Sequence, residues 1–299
     1  MPSTFKLLEP LKPTVVDRPF SVRSKGNPAF ECVRLLAGSM DIEEKASGKT
    51  IKFRHCNLSV SPRRLGSNTI DKLVDLLFDG DLSKSDAATY LTKSNTQNRE
   101  FWEELRAEIC FCLVAQKRGD HVEAFLHFYR ILELVSVALP LIYATKFSDF
   151  RKSVQFIKSL SKNDRDQDLS ILKYFAEEVS NGGSVFSSLE IDFTFDGLDS
   201  SVRDHMKTQL DSFVLSDAKI LHTWFPTPTD GVSIKFKSIP SFIVSCRNRL
   251  FHNALSNENF KLDKMQGAKA LCSVLVGPGL HWFALMVSEI LKAEASRYV

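Results

Sequence analysis

The sequence is poor in the groups that usually announce chemistry. Five tyrosines and three tryptophans stand against 23 phenylalanines, so aromatic bulk is set aside for burial more than for surface recognition. A glycine-rich phosphate loop, an HExxH helix and a serine- or cysteine-nucleophile motif are all missing, which removes the commonest routes to nucleotide, zinc-peptidase and acyl-transfer chemistry. Neither sign of charge dominates. Lys and Arg total 39 against 36 Asp and Glu, a net charge of +3, which is compatible with a nucleic-acid partner without demanding one. Six cysteines (Cys32, Cys56, Cys110, Cys112, Cys246 and Cys272) fall in apolar runs. They have the spacing of neither a four-ligand zinc site nor a disulfide framework, and nothing nearby completes Cys110-Phe111-Cys112. Buried free thiols in a reducing compartment are expected, with no metal and no cofactor. The opening MPSTFKLLEPLKPTVVDRPF has prolines and charges where a signal peptide needs an apolar core. The longest apolar stretches, such as ILELVSVALPLIYA, are too short and too charged at their edges to span a bilayer. A cytoplasmic protein without a membrane partner is expected.

What is present is ordinary globular material. At 299 residues and 43 % hydrophobic content, the chain holds one large domain, or one large and one small, with a sizeable core. The pattern changes near residue 66. Before it, AFECVRLLAG and TIKFRHCNLSVS carry alternating or β-branched runs around the turn-like EKASGKT, which predicts a hairpin or small sheet. PRRLGSN at 62–68 has the composition of a linker. The expected organisation is a β-rich N-terminal region over 1–66 and a helical domain over 67–299.

Helical periodicity runs through IDKLVDLLFDG at 70–80 and NREFWEELRAEICFCLVAQKRG at 98–119. It is strongest in HVEAFLHFYRILELVSVALPLIYA at 121–144. There Phe125, Phe128, Leu132, Val135 and Leu139 step by three and four and share a face, while Ile131, Leu134 and Leu141 add apolar groups elsewhere, so this helix should be central. Gly119-Asp120 supplies its break and cap. Further helices are expected at 148–161, 167–180 and 201–224, an irregular stretch with one strand in NGGSVFSSLEIDFTFDGLDSS, and a loop at WFPTPTDGVS. GPGLHWF at 277–283 should interrupt or start a helix.

One short run stands out, SCRNRLFHNALS at 245–256. A helix starting near 239, with Pro240 in its first turn, carries Phe242, Ile243, Cys246, Leu250 and Ala254 on one face at 100° per residue. Val244, Phe251 and Leu255 form a second apolar stripe, interleaved with Arg247, Asn248 and His252. A helix apolar on two sides must bury both, within its domain or against another chain. Polar groups set in such a stripe sit at a shielded interface. A purely structural reading also accounts for them, with Arg247 pairing to a carboxylate such as Glu133 and His252 as an interface histidine. Glu133 could equally pair locally with Arg130.

Arg247-Asn248-x-x-x-His252, on a helix that follows a long central amphipathic one, resembles the marker of the HEPN superfamily, an arginine and a polar residue with histidine four to six positions on. FLHFYRILELVS resembles the early helix of such domains, with Glu133 as the counterpart of their frequent glutamate. The resemblance covers about residues 98–290 and is akin to the ApeA-like and abortive-infection members. It implies a mainly α fold, a HEPN-like helical bundle behind the small β-rich N-terminal region, and a homodimer that brings two motifs into one composite cleft. It further implies metal-independent RNA cleavage with Arg247, Asn248, His252 and Glu133 as site residues, in a toxin or antiviral-defence effector whose N-terminal region meets a sensor or regulatory protein partner. The residue types suit that chemistry. Histidine moves protons near neutral pH, arginine offers a charged planar fork to phosphate oxygens, and only RNA carries the 2′-hydroxyl nucleophile. A HEPN subset modified on a tyrosine two residues after the histidine differs here, since that position is Ala254. The other function class left open is a non-catalytic HEPN-like module that binds nucleic acid or nucleates an assembly.

Overall fold

A computed structural model describes residues 4–10, 18–22, 26–59, 69–160, 168–181, 185–251, 259–265 and 267–298. The chain is 64 % helical, with ten α-helices and two small three-stranded sheets among the described residues, and so is mainly α. In chain order the elements are β1 (Phe5–Leu8), α1 (Pro28–Leu36), β2 (Asp41–Glu44), β3 (Lys49–Lys52), α2 (Thr69–Phe78), α3 (Lys84–Lys93), α4 (Arg99–Arg118), α5 (His121–Ala144), α6 (Phe150–Leu160), α7 (Asp168–Asn181), β4 (Glu190–Thr194), α8 (Ser200–Phe213), β5 (His222–Trp224), β6 (Gly231–Lys235), α9 (Ile239–Phe251) and α10 (Ala268–Ala295). They form two compact units. The first holds Met1–Val114, Leu141–Ser153 and Phe283–Val299, and the second Ala115–Pro140 and Val154–Trp282. The expected linker at 62–68 lies outside the described residues.

In the first unit β1, β2 and β3 form an antiparallel sheet in that order, with Ile42 opposite Ile51. The turn within EKASGKT closes the β2–β3 hairpin, helped by Gly48 at φ +65°. AFECVRLLAG, expected as part of that sheet, is instead the helix α1. Asn27 decides this locally, because its Oδ1 accepts from the backbone N–H groups of Ala29 and Phe30 and Pro28 fills the first helical position. All nine residues of α1 are buried, so no polar face marks the helical period. Its charged groups are paired. Arg34 uses all five donors, two to the carboxylate of Glu9, one each to the carbonyls of Phe20 and Ser39, and one to Ser39 Oγ. Glu31 holds Arg106 of α4. The helix α3, absent from the sequence-based expectations, begins with a capping box between Ser83 and Asp86.

In the second unit β6 lies between β4 and β5, antiparallel to both. Only β4 was expected. The segment predicted helical over 201–224 ends as helix at Phe213 and finishes in β5, and the predicted loop at WFPTPTDGVS ends in β6. These strands of three and five residues gain their hydrogen bonds from partners elsewhere in the chain, which no local pattern encodes. Phe193 of β4 meets Phe242 of α9 edge-to-face at 4.9 Å, Phe236 stacks on Phe186 at 4.6 Å, and the Trp282 indole donates to the Phe236 carbonyl. The GPGLHWF segment does not break a helix. It runs inside α10, with Pro278 within the helix. A Cβ on Gly279 would lie 2.6 Å from the ring of Phe128 on α5, so the glycine permits the close approach there. By length and composition α5 and α10 could each cross a membrane, yet 56 % and 83 % of their apolar windows lie buried inside the protein.

Candidate functional site

The helix α9 follows a single 3₁₀ turn at Phe236–Ser238, and Pro240 stands in its first turn as expected. Ser238 Oγ anchors this entry by accepting from the Leu221 N–H and donating to the Lys219 carbonyl. Phe242, Ile243 and Cys246 are buried on the predicted core face, while Leu250 is half-buried. Of the expected second stripe, Val244 and Phe251 are described and Leu255 lies outside the described residues. Val244 is half-buried and Phe251 is 39 % exposed, even though its ring stacks on Phe125 of α5 at 6.2 Å. Leu126, next along α5, is 46 % exposed.

Two side-chain rungs join α5 and α9. Phe125 faces Phe251, and one turn further on Tyr129 faces Arg247, whose guanidinium carbon lies 4.9 Å from the ring centroid. Rising numbers on one helix meet falling numbers on the other, so the two run antiparallel. Steps of four advance a row by about 40° around a helix. The α5 row therefore drifts from core to surface, with Phe125 fully buried, Tyr129 8 % exposed and Glu133 exposed. The same spacing puts Glu133 a turn past the rung that holds Arg247.

Among the described residues Glu133 forms an ion pair with neither Arg247 nor Arg130. Its charge is nonetheless felt by Tyr129. Burial pushes the Tyr129 phenol above its ordinary range, the Arg247 guanidinium pulls it down, and Glu133 pushes it up. Arg247 donates from Nη1 to Asn248 Oδ1 at 3.3 Å, and Asn248 is exposed while Arg247 is half-buried. Arg249, on the same turn, reaches toward Phe213 of α8 with its guanidinium 5.9 Å from that ring. His252 and Ala254 lie outside the described residues.

The structure therefore brings Arg247 and Asn248 together and leaves Glu133 a turn away. It adds Tyr129, which sequence reasoning passed over. Its place four residues before Glu133 puts the two on one helical row, but no local signal pairs that row with α9. The cysteines give no competing site. All six are free and buried, and burial pushes the Cys110 and Cys272 thiols up to about 12, far from the reactive thiolate range. The geometry thus offers a charged, ring-backed donor group beside an exposed amide on a partly apolar surface, suited to holding an anionic oxygen. No family model, curated protein or solved structure matches the chain.

Proposed function

We propose that this protein is a metal-independent endoribonuclease of the HEPN type, a HEPN-like helical bundle acting as a homodimer. The observation that carries the proposal is the fixed pair on α9, with Arg247 set over the Tyr129 ring and donating to Asn248 Oδ1 on a helix that also presents an apolar stripe. In this reading Arg247 donates to a non-bridging phosphate oxygen and neutralises the charge that builds on phosphorus. Asn248 orients the arginine or the phosphate. His252 takes the proton from the 2′-hydroxyl as the 2′-oxygen bonds to phosphorus. The P–O5′ bond then breaks and the 5′-oxygen is protonated, leaving a 2′,3′-cyclic phosphate. Glu133 contributes negative charge at a distance rather than a direct pairing. The exposed Leu126 and Phe251 fit an isologous contact that would bring two motifs together. A cytoplasmic toxin or antiviral-defence role, with a sensor or regulatory partner, is part of the same proposal.

The test incubates purified protein with total RNA and with single-stranded DNA in EDTA, beside Arg247→Ala and His252→Ala. The expected outcome is RNA-selective cutting that survives EDTA and falls by about 100-fold or more in each variant, with the dimer mass unchanged. Cutting that needs a divalent ion, that takes DNA equally, or that persists in both variants would sink the ribonuclease reading. A dimer that cuts nothing would leave the non-catalytic scaffold in its place.

A further inference from the structure

We infer that Tyr129 is a positioning residue for Arg247, and that its ring, not the carboxylate of Glu133, sets the direction of the guanidinium. For catalysis this rests on the ribonuclease reading above, but the contact itself belongs to the resting protein. An arginine has about 2 kcal/mol of rotamer entropy to lose when its head is fixed. A guanidinium over a buried aromatic face is held by cation–π attraction, and contact through the ring face consumes none of its N–H donors. Arg247 has this arrangement, 4.9 Å from a ring that is 8 % exposed.

The ring is itself fixed. Tyr129 sits mid-way along a 24-residue helix, and the neighbouring rung, Phe125 on Phe251 with an interplanar angle of 22°, sets the register of α5 against α9. Sliding either helix by one residue would move both rungs together. Glu133 is the alternative anchor by chemistry, yet it is exposed and forms no ion pair with Arg247 among the described residues. An exposed carboxylate at that remove would also be screened by salt. Of these two anchors the Tyr129 ring, not the Glu133 carboxylate, directs the fork, beside the bond from Arg247 Nη1 to Asn248 Oδ1.

The experiment reads the Arg247 Nε–H resonance in the full chain, assigned by its loss in Arg247→Ala, together with RNA cleavage. A proton held over an aromatic face is shifted upfield by the ring. Tyr129→Phe keeps the ring and should keep both the upfield position and the cleavage rate within about 2-fold, since the ring face supplies the cation–π contact. Tyr129→Met, which removes the ring at similar bulk, should return the resonance toward free arginine and lower kcat about 10-fold at unchanged KM, the signature of a misdirected transition-state contact. Glu133→Gln should leave the resonance where it is. Should Tyr129→Met fold poorly, the ring signals of Tyr129 in Arg247→Ala give the same contact from the other side and should move. An arginine resonance unmoved by Tyr129→Met, Tyr129 ring signals unmoved by Arg247→Ala, or a resonance moved by Glu133→Gln instead, would overturn the inference. Loss of RNA cleavage in the wild type would end the ribonuclease reading alone, because the resonance still decides the positioning role.

Discussion

The two compact units handle charge in opposite ways. The buried charged residues among those described are Glu31, Arg34, Asp41, Glu108 and Glu294, and all belong to the first unit. There they are tied to partners, Arg34 to Glu9, Glu31 to Arg106, Asp41 to Arg54 and Glu294 to the Tyr90 hydroxyl at 2.6 Å. Both units bury aromatic rings, but the second, with Phe125, Phe128, Phe193, Phe236 and Trp282 in its core, has no buried Asp, Glu, Lys or Arg among the described residues and keeps Arg247 half-buried and Asn248 exposed. A charge sealed into a network specifies structure and is unavailable for chemistry, because every donor already has an acceptor. The contact of Arg247 with a ring face itself uses none of its N–H donors. The candidate site falls in the unit that did not spend its charges on its own core.

That contrast breaks first at Arg34. Arg34→Met leaves the Glu9 carboxylate, 1 % exposed, buried without its fork. We expect a loss of about 3–5 kcal/mol, read as a large drop in the denaturation midpoint. Arg247→Met, which loses the contact with the Tyr129 ring and the bond to Asn248, should cost about 0.5–1 kcal/mol, and equal losses at the two arginines would erase the distinction between the units. The aromatic packing of the second unit is probed by two glycines of α10. Gly279→Ala drives a Cβ into the Phe128 ring and should cost about 1–3 kcal/mol, while Gly277→Ala, whose Cβ would meet only Gln116 Nε2 at 3.8 Å, should gain about 0.5–1 kcal/mol from helix propensity. The same sign at both positions would mean that ring packing does not decide the fit. The smallest effect is a pH slope. Burial holds the carboxyls of Glu31, Glu289 and Glu294 above their ordinary value of 4.5, so between 4.5 and their folded values the folded protein binds more protons than the unfolded chain. Their contribution to stability is full below that window and falls as the pH rises through it. Glu294→Gln should flatten the fall in denaturation midpoint from pH 4.5 toward neutrality, and an unchanged slope would remove Glu294 from the cause.

Much of the helical body was legible because its periods are strong. The expected 98–119, 121–144, 148–161 and 167–180 appear as α4 to α7 with ends shifted by a residue or two. Gly119, at φ +80°, ends α4 as expected, with the Asp120 N–H returning to the Ala115 carbonyl. Each miss has its own physical cause. In α1 the helix is buried all round, so the sequence shows no polar face to set its period. In β5 and β6 the strands are too short to carry a pattern, and their pairing comes from across the chain. In α10 the Gly-Pro-Gly run looks like a break, yet the helix continues and places Gly279 against Phe128. At the site, the two-sided character of α9 was readable, as was the adjacency of Arg247 and Asn248. The backing of Arg247 by Tyr129 was not.

The sequence by itself determined α4 to α7, which face of α9 enters the core, and that Arg247 and Asn248 stand together on it, because a helix with a strong apolar period converts spacing into direction with no outside help. Only the tertiary structure decided that Arg247 rests on Tyr129 and that Glu133 stands a turn away. Those relations depend on the antiparallel register of α5 against α9, and that register is fixed by ring-on-ring packing between residues more than a hundred positions apart.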